Sequence, residues 1–333
     1  MQKKRVKIAF LIKILLLITM LLYGCNNEVV EEDNGVKDKI ELSNGAMIIE
    51  NLGEYSVYNV SEDKYEDANI NKIILFYNLM SKNFIYSEND KYKVNYNDNE
   101  IIIGESKNIV SPKLSKNGEY ISYFLREPYL ELKIKDLSNN SEIKIESKVS
   151  ISGDLLDWID EKTIVYYGVD DNKNNGIFLY DIDKNEERLL YKFDLGYVEF
   201  LKALDNGVIF LQSREGKEKL FKIVDKEGEV KEIIKGILDV SDVELTSEGI
   251  FILGRLEDNT YSLYKYSEGK AKRLIYDFPK LINLEKGIAK DKDEDIIFIG
   301  GEESKTEKVY KYKDDTVTTI SVDEGNYHFI KFN

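Results

Sequence analysis

The sequence predicts an all-β fold, a single seven-bladed β-propeller, on three observations. Beyond about residue 43, apolar and polar residues alternate in short runs rich in β-branched and aromatic side chains. That is the period of strands, and helical spacing is nearly absent. A tight polar turn followed at once by an apolar run recurs seven times, with runs starting at Ala46, Phe84, Tyr120, Ile164, Val208, Ile250 and Ile296. Successive starts lie 36 to 46 residues apart, the repeat length of a four-stranded propeller blade.

The elements of one unit justify the count. The turns are Ser43-Asn44-Gly45, Ser81-Lys82-Asn83, Lys116-Asn117-Gly118, Asp160-Glu161-Lys162, Asp205-Asn206-Gly207, Ser247-Glu248-Gly249 and Asp293-Glu294-Asp295. Four of them place Gly just before the run, where two-residue hairpins need positive φ. A second alternating strand follows each run (EYSVYNV, YKVNYN, GIFLYDID, KVYKYK), and most units close with a third (EIIIGE, RLLYKF, KRLIYD). With the strand before the turn, each unit has four. The first unit lacks that leading strand, whereas the chain ends with a spare one, 326–333. Inserted into blade one, the spare strand closes the ring and removes the open edge. A length of 333 residues would otherwise suggest about two domains; the repeat makes residues 43–333 one. Six blades is the alternative, because the first unit's last strand, KYEDANI, is poor.

The N-terminus reads as an address. Lys3, Lys4, Arg5 and Lys7 precede an apolar run from Ile14 to Tyr23, too short for a membrane span of about 20 residues and suited to a secretory signal. The run ends Leu22-Tyr23-Gly24-Cys25 and is followed by polar Asn26-Asn27. This resembles the lipobox of bacterial lipoproteins, with an aliphatic residue at −3 and a small one before the Cys; Tyr23 is bulkier than usual at −2. The resemblance implies a signal peptide over 1–24 and a diacylglyceryl group on the Cys25 thiol. It also implies anchoring on the extracytoplasmic face of the cell membrane, which two acyl chains make stable. Residues 25–42 are acidic and aperiodic, and are expected to be a flexible tether.

Lys113-Leu-Ser-Lys-Asn-Gly118-Glu-Tyr-Ile-Ser-Tyr-Phe124 and Phe178-Leu-Tyr-Asp-Ile-Asp183 resemble the repeats of TolB-type and WD-like bacterial propellers. Lys116-Asn117 stands where that pattern usually has Pro-Asp. The resemblance implies architecture and carries no activity, since the fold hosts many.

Composition excludes several functions. The chain has 47 basic and 62 acidic residues, a net −15, with one Cys and one His. A single Cys rules out a disulfide framework and multi-cysteine metal sites. The acidic balance argues against a nucleic-acid partner. Cleavage after residue 24 would discard five basic residues and no acidic ones, leaving −20. No cofactor is expected, and the chain is read as a monomer.

Candidate site residues come from one recurring position. Asp157, Glu199, Asp242, Glu285 and His328 follow one another every 42 or 43 residues on the expected inner strands, and blade three offers Lys113. Five blades would then present a polar group at comparable depth in the channel. Like charges brought together should raise at least one carboxylate pKa and be relieved by a cation, a polyamine or a basic peptide. Water-lined channels also simply favour polar residues. Asp291, Asp293, Asp295 and Glu302 match four liganding positions of an EF-hand loop, but Ile296 replaces the required Gly, so a charged hairpin turn is expected and no metal. Tyr264, Tyr266, Tyr310 and Tyr312 fit half-buried strands. The function expected is non-catalytic binding of a protein, peptide or cationic ligand at the cell envelope. The alternative is a carboxylate-dependent hydrolase or lyase at the channel mouth, which would need converging carboxylates with one pKa strongly raised.

Overall fold

The computed structural model describes residues 40–333 except 62–63, 127, 215–217, 258, 303–306 and 321–324; the expectations for Cys25 and the rest of 1–39 lie outside the described residues. Seven sheets follow one another along the chain. Blade 4 is typical, with antiparallel strands Val149–Trp158, Thr163–Asp170, Asn175–Asp181 and Glu186–Phe193 from the inside outward. Alternation gives each strand one side against each neighbouring blade. Every inner strand runs from the face carrying the blade-to-blade connectors (the connector face) to the face carrying the first hairpin turn (the turn face).

The ring closes as the spare strand requires. Asn326–Phe329 is the innermost strand of blade 1, antiparallel to Met47–Asn51, and Glu54–Ser61 and Lys64–Asp67 complete that sheet. Lys64–Asp67 comes from the stretch KYEDANI, so the count is seven. The tail then goes further. Lys331–Phe332 pairs in parallel with Phe76–Tyr77 of blade 2, and Asn333 Nδ2 donates to the carbonyls of Leu114 and Ser115 in blade 3 at 2.8 and 3.0 Å. Eight residues therefore stitch three blades together on the turn face.

Packing lies between blades. Trp158 of blade 4 is buried and donates from Nε1 to Ser122 Oγ of blade 3 at 2.9 Å. Phe210 of blade 5 sits in one apolar cluster with Val165 and Leu179 of blade 4. Tyr264, Tyr266, Tyr310 and Tyr312 are all buried, so their side chains build core. They lie on third strands, one in from the edge. Two local expectations differ. Gly45, Gly118 and Gly249 take positive φ, but Gly207 does not. Blade 7 has a broken inner strand, Leu281–Ile282 and Ile288–Lys290 flanking a 3₁₀ turn at Leu284–Lys286. The last residues of the expected tether also belong to the domain: Leu42 is buried, and the Glu41 carbonyl accepts from Asn59 Nδ2.

The buried Tyr327 side chain holds the closing strand in the cluster shared with blades 1 and 7. Tyr327→Ala should cost about 3–5 kcal/mol, the range for large-to-small changes at buried aromatics. Urea unfolding measures it, and a loss under 1 kcal/mol would show that the closing strand contributes little.

Candidate functional site

Two of the recurring carboxylates are built alike. Asp157 Oδ1 lies 3.1 Å from Lys113 Nζ of blade 3, while Oδ2 accepts the Ala203 N–H of blade 5 at 2.9 Å. Asp242 lies 3.4 Å from Lys202 Nζ of blade 5 and accepts the Ile288 N–H of blade 7 at 3.2 Å. Each also accepts the N–H of its own successor, Trp158 or Val243. Each carboxylate thus joins three consecutive blades. Lys202 further reaches Glu244 at 2.9 Å and donates to the Val243 carbonyl. Lys331 of the tail lies 3.3 Å from Asp242 on the opposite side of the ring from its own strand. Room for this comes from Gly287, φ +70, where a Cβ would sit 2.4 Å from Asp242 Oδ2.

These ion pairs reverse the expected electrostatics. Burial alone would push both carboxyl groups up. For Asp242 it is outweighed by Lys202, then Lys331 and the Val243 and Ile288 N–H groups, and its pKa falls to about 2. Asp157 is also lowered, burial being outweighed by Lys113 and the Ala203 N–H. Lys202 is raised: Asp242 and Glu244 more than offset its desolvation. The anticipated rise in carboxylate pKa is therefore corrected to a fall, because lysines from neighbouring blades alternate with the acids.

The other three positions do not join this belt. Glu199 occupies a register shift between Val198 and Phe200, near the connector-face end of its strand, and pairs with Lys219 Nζ at 2.5 Å. Glu285 is exposed in the 3₁₀ turn, where its N–H is capped by Asn283 Oδ1. His328 is exposed on the closing strand, with Lys286 Nζ 3.3 Å from Nδ1 and 3.2 Å from Nε2. Its pKa is lowered, first by desolvation and then by Lys286, so the ring is neutral at pH 7. Asp291 and Asp295, from the EF-hand-like stretch, instead bracket the buried Lys311 at 2.8 and 3.1 Å. Among the described residues no group of three or more His, Cys, Asp or Glu is placed to hold a metal ion.

A cleft of about 750 Å³ opens between blades 5 and 6 at the connector face, lined by Tyr197, Glu199, Arg214, Lys219, Leu238 and Arg255. Apart from Glu199, the sequence reading missed it. A signal was present: Arg126, Arg214 and Arg255 each fall within one residue of the end of a second strand.

No family model and no curated protein matches the chain. Solved structures do, at low identity. The β-propeller domain of the Trilobed protease from Pyrococcus furiosus is 17% identical, with a TM-score of 0.51 over 76% of this chain and 86% of that one. Pyrococcus horikoshii acylaminoacyl peptidase is 15% identical, TM-score 0.53, over 84% of this chain and 50% of that one. The oligogalacturonate lyase of Vibrio parahaemolyticus is 11% identical, TM-score 0.51, over 85% of each. These are likenesses of fold. The Pyrococcus furiosus domain is described as an open velcro, whereas here the C-terminal strand zips blade 1 shut. The present chain spans half the length of the peptidase.

Asp242 gives a signed pH prediction. A folded-state pKa of about 2 against an ordinary 3.8 means the unfolded chain binds more protons between those values. The stabilisation, about 2 kcal/mol, is complete above pH 4 and lost as pH falls toward 2. Asp242→Asn should remove this part of the acid limb in pH-dependent unfolding; an unchanged limb refutes the assignment. His328 is the chain's one histidine, so its ring protons can be followed in a proton NMR titration without assignment. Its midpoint should lie below 6.5, and Lys286→Gln should move it upward; no movement would exclude Lys286 as a cause.

Proposed function

We propose that this chain is a cell-envelope lipoprotein whose propeller binds a protein or peptide partner on its connector face. One observation carries the reading: the exposed large apolar side chains are distributed unequally between the two faces. Among the described residues, Tyr129, Leu195, Tyr197, Tyr261, Tyr276 and Phe278 are exposed on connector-face loops and strand ends, against Met80 and Val230 at the turn face. Arg214, Arg255 and Arg273 lie among them, and Arg273 stacks on Tyr276 with 4.9 Å between guanidinium carbon and ring centroid. Tyr and Arg are the residues in which binding hot spots are richest.

Chain direction supports it. The described chain enters at Ile40–Gly45, directly before the second strand of blade 1, and therefore on the turn face. A tether leading back to Cys25 would leave from there, over roughly 20–25 Å for a flexible coil of that length, so a partner could reach the connector face without displacing it. The channel belt fits a cationic ligand less well, because Lys113, Lys202 and Lys331 already meet its acids. The enzymatic alternative calls for a raised carboxylate, and the shifts at Asp157 and Asp242 run downward. The repeats' likeness to TolB-type propellers is compatible with binding and adds no partner.

Two outcomes test this reading. Cys25→Ser should move the protein from the membrane fraction to the soluble one; full retention would refute the lipid anchor. A photo-crosslinking amino acid at Tyr129 or Tyr276 should capture a discrete envelope protein in intact cells, while one at Asp183 on the turn face should not. Equal capture from both faces would overturn the assignment of the binding face.

A further inference from the structure

We propose that the cleft between blades 5 and 6 recognises a carboxylate, held by the guanidinium groups of Arg214 and Arg255 on a ligand small enough to enter it. This deepens the binding reading by naming the chemistry of one site on the connector face. The cleft's volume, about 750 Å³, falls within the range of small-molecule and chain-end pockets.

The case rests on unused donors. A guanidinium has five N–H groups in a rigid fork suited to bidentate pairing with a carboxylate. Arg214 meets one carboxylate, Glu218, at 3.4 Å, and Arg255 meets one, Asp239, at 3.7 Å. Both contacts are loose for a charge-assisted bond, whose usual length is about 2.7–2.9 Å. The two side chains stay partly exposed, 35% for Arg214 and 38% for Arg255, so each guanidinium keeps N–H groups that a carboxylate entering the cleft can meet. Two arginines from adjacent blades are aimed at one cleft in a chain of net charge −15.

The walls set orientation. Tyr261 stacks on Arg255 with 5.3 Å from guanidinium carbon to ring centroid, and its hydroxyl donates to Asp239 Oδ2 at 2.8 Å. The guanidinium plane is thereby held before any ligand arrives. Tyr197 and Leu238 supply apolar wall for the body of the ligand. Lys219 adds a third positive charge but is spoken for by Glu199 at 2.5 Å. Glu199 thus opposes an anion in the cleft rather than attracting a cation, the reverse of the role the channel reading gave it. A peptide C-terminus and a uronic acid share this carboxylate, and the test separates them.

Isothermal titration of the full-length chain in detergent, at low salt, would use three probes: N-acetylated tripeptides with a free C-terminus, the same peptides as C-terminal amides, and a digalacturonate. The free-acid peptide should bind ten-fold or more tighter than its amide, or digalacturonate should bind at least ten-fold tighter than that amide. Arg255→Lys keeps the charge but loses the fork, and should weaken that probe about ten-fold; Arg214→Gln should do likewise. Glu199→Gln removes a like charge and should tighten binding about two- to five-fold, a gain that damage to the fold cannot mimic. Binding of digalacturonate alone, with the same arginine dependence, would support the site and identify a glycan source. Equal binding of acid and amide, no binding of any acid, or indifference to both arginine variants would overturn the proposal. In those cases face-specific crosslinking would still stand or fall on its own.

Discussion

The constraint on which the rest depends is that a ring of sheets must leave no unpaired inner edge. Each blade passes its chain to the next through a connector, but blade 1 begins without an inner strand and must receive one from the far end of the sequence. Asn326–Phe329 provides it, and the consequences spread. The residues just beyond must lie at the turn-face end of the channel, where Lys331 reaches Asp242 in blade 6 and Asn333 reaches Leu114 and Ser115 in blade 3. Closure and channel electrostatics are therefore one arrangement. A tail detached from blade 1 would also strip a cation from the most depressed carboxylate of the belt.

The belt itself shows how a propeller uses charge without becoming a charged pore. Aspartates at Asp157 and Asp242 accept an N–H from the following blade and a lysine from the preceding one. Removing either partner from such a partly buried pair leaves a poorly compensated charge, so these contacts fix blade register even where their net contribution to stability is small. The hydrophobic interfaces between blades are less directional: Val, Ile and Phe can slide by a fraction of a residue, whereas a carboxylate held by two N–H groups cannot.

The fold was legible in the sequence because period-two alternation and a polar turn are both local, and the repeat multiplied each signal by seven. Even the weak stretch KYEDANI forms its strand, since the neighbouring Glu54–Ser61 supplies a template. The site was only half legible. Counting 42 or 43 residues found Asp157 and Asp242, but counting does not see bulges. The extra residue at Glu199 moves that side chain out of phase, and a 3₁₀ turn takes Glu285 off the strand altogether. Nor does a count of acids reveal their partners. Lys202 and Lys331 are unremarkable in a lysine-rich chain, and only the ring brings the second of them to Asp242.

Lysine and arginine divide the work in a way that bears on the surface. The belt is built from lysines, which act as compact charges against one or two carboxylates and a carbonyl. Arginine is scarce, and of the five among the described residues Arg126, Arg214, Arg255 and Arg273 fall at the connector face near the exposed tyrosines, while Arg188 donates to the Lys226 carbonyl at the turn face. On a body with an excess of acid, scattered cations would improve solubility equally well as lysine. Planar forks stacked on Tyr261 and Tyr276 add directionality that solubility does not require. Among the described residues the two faces consequently differ in kind: the turn face gathers the C-terminal tail into hydrogen bonds and ion pairs with other blades, while the connector face carries guanidinium groups stacked on partly exposed tyrosines.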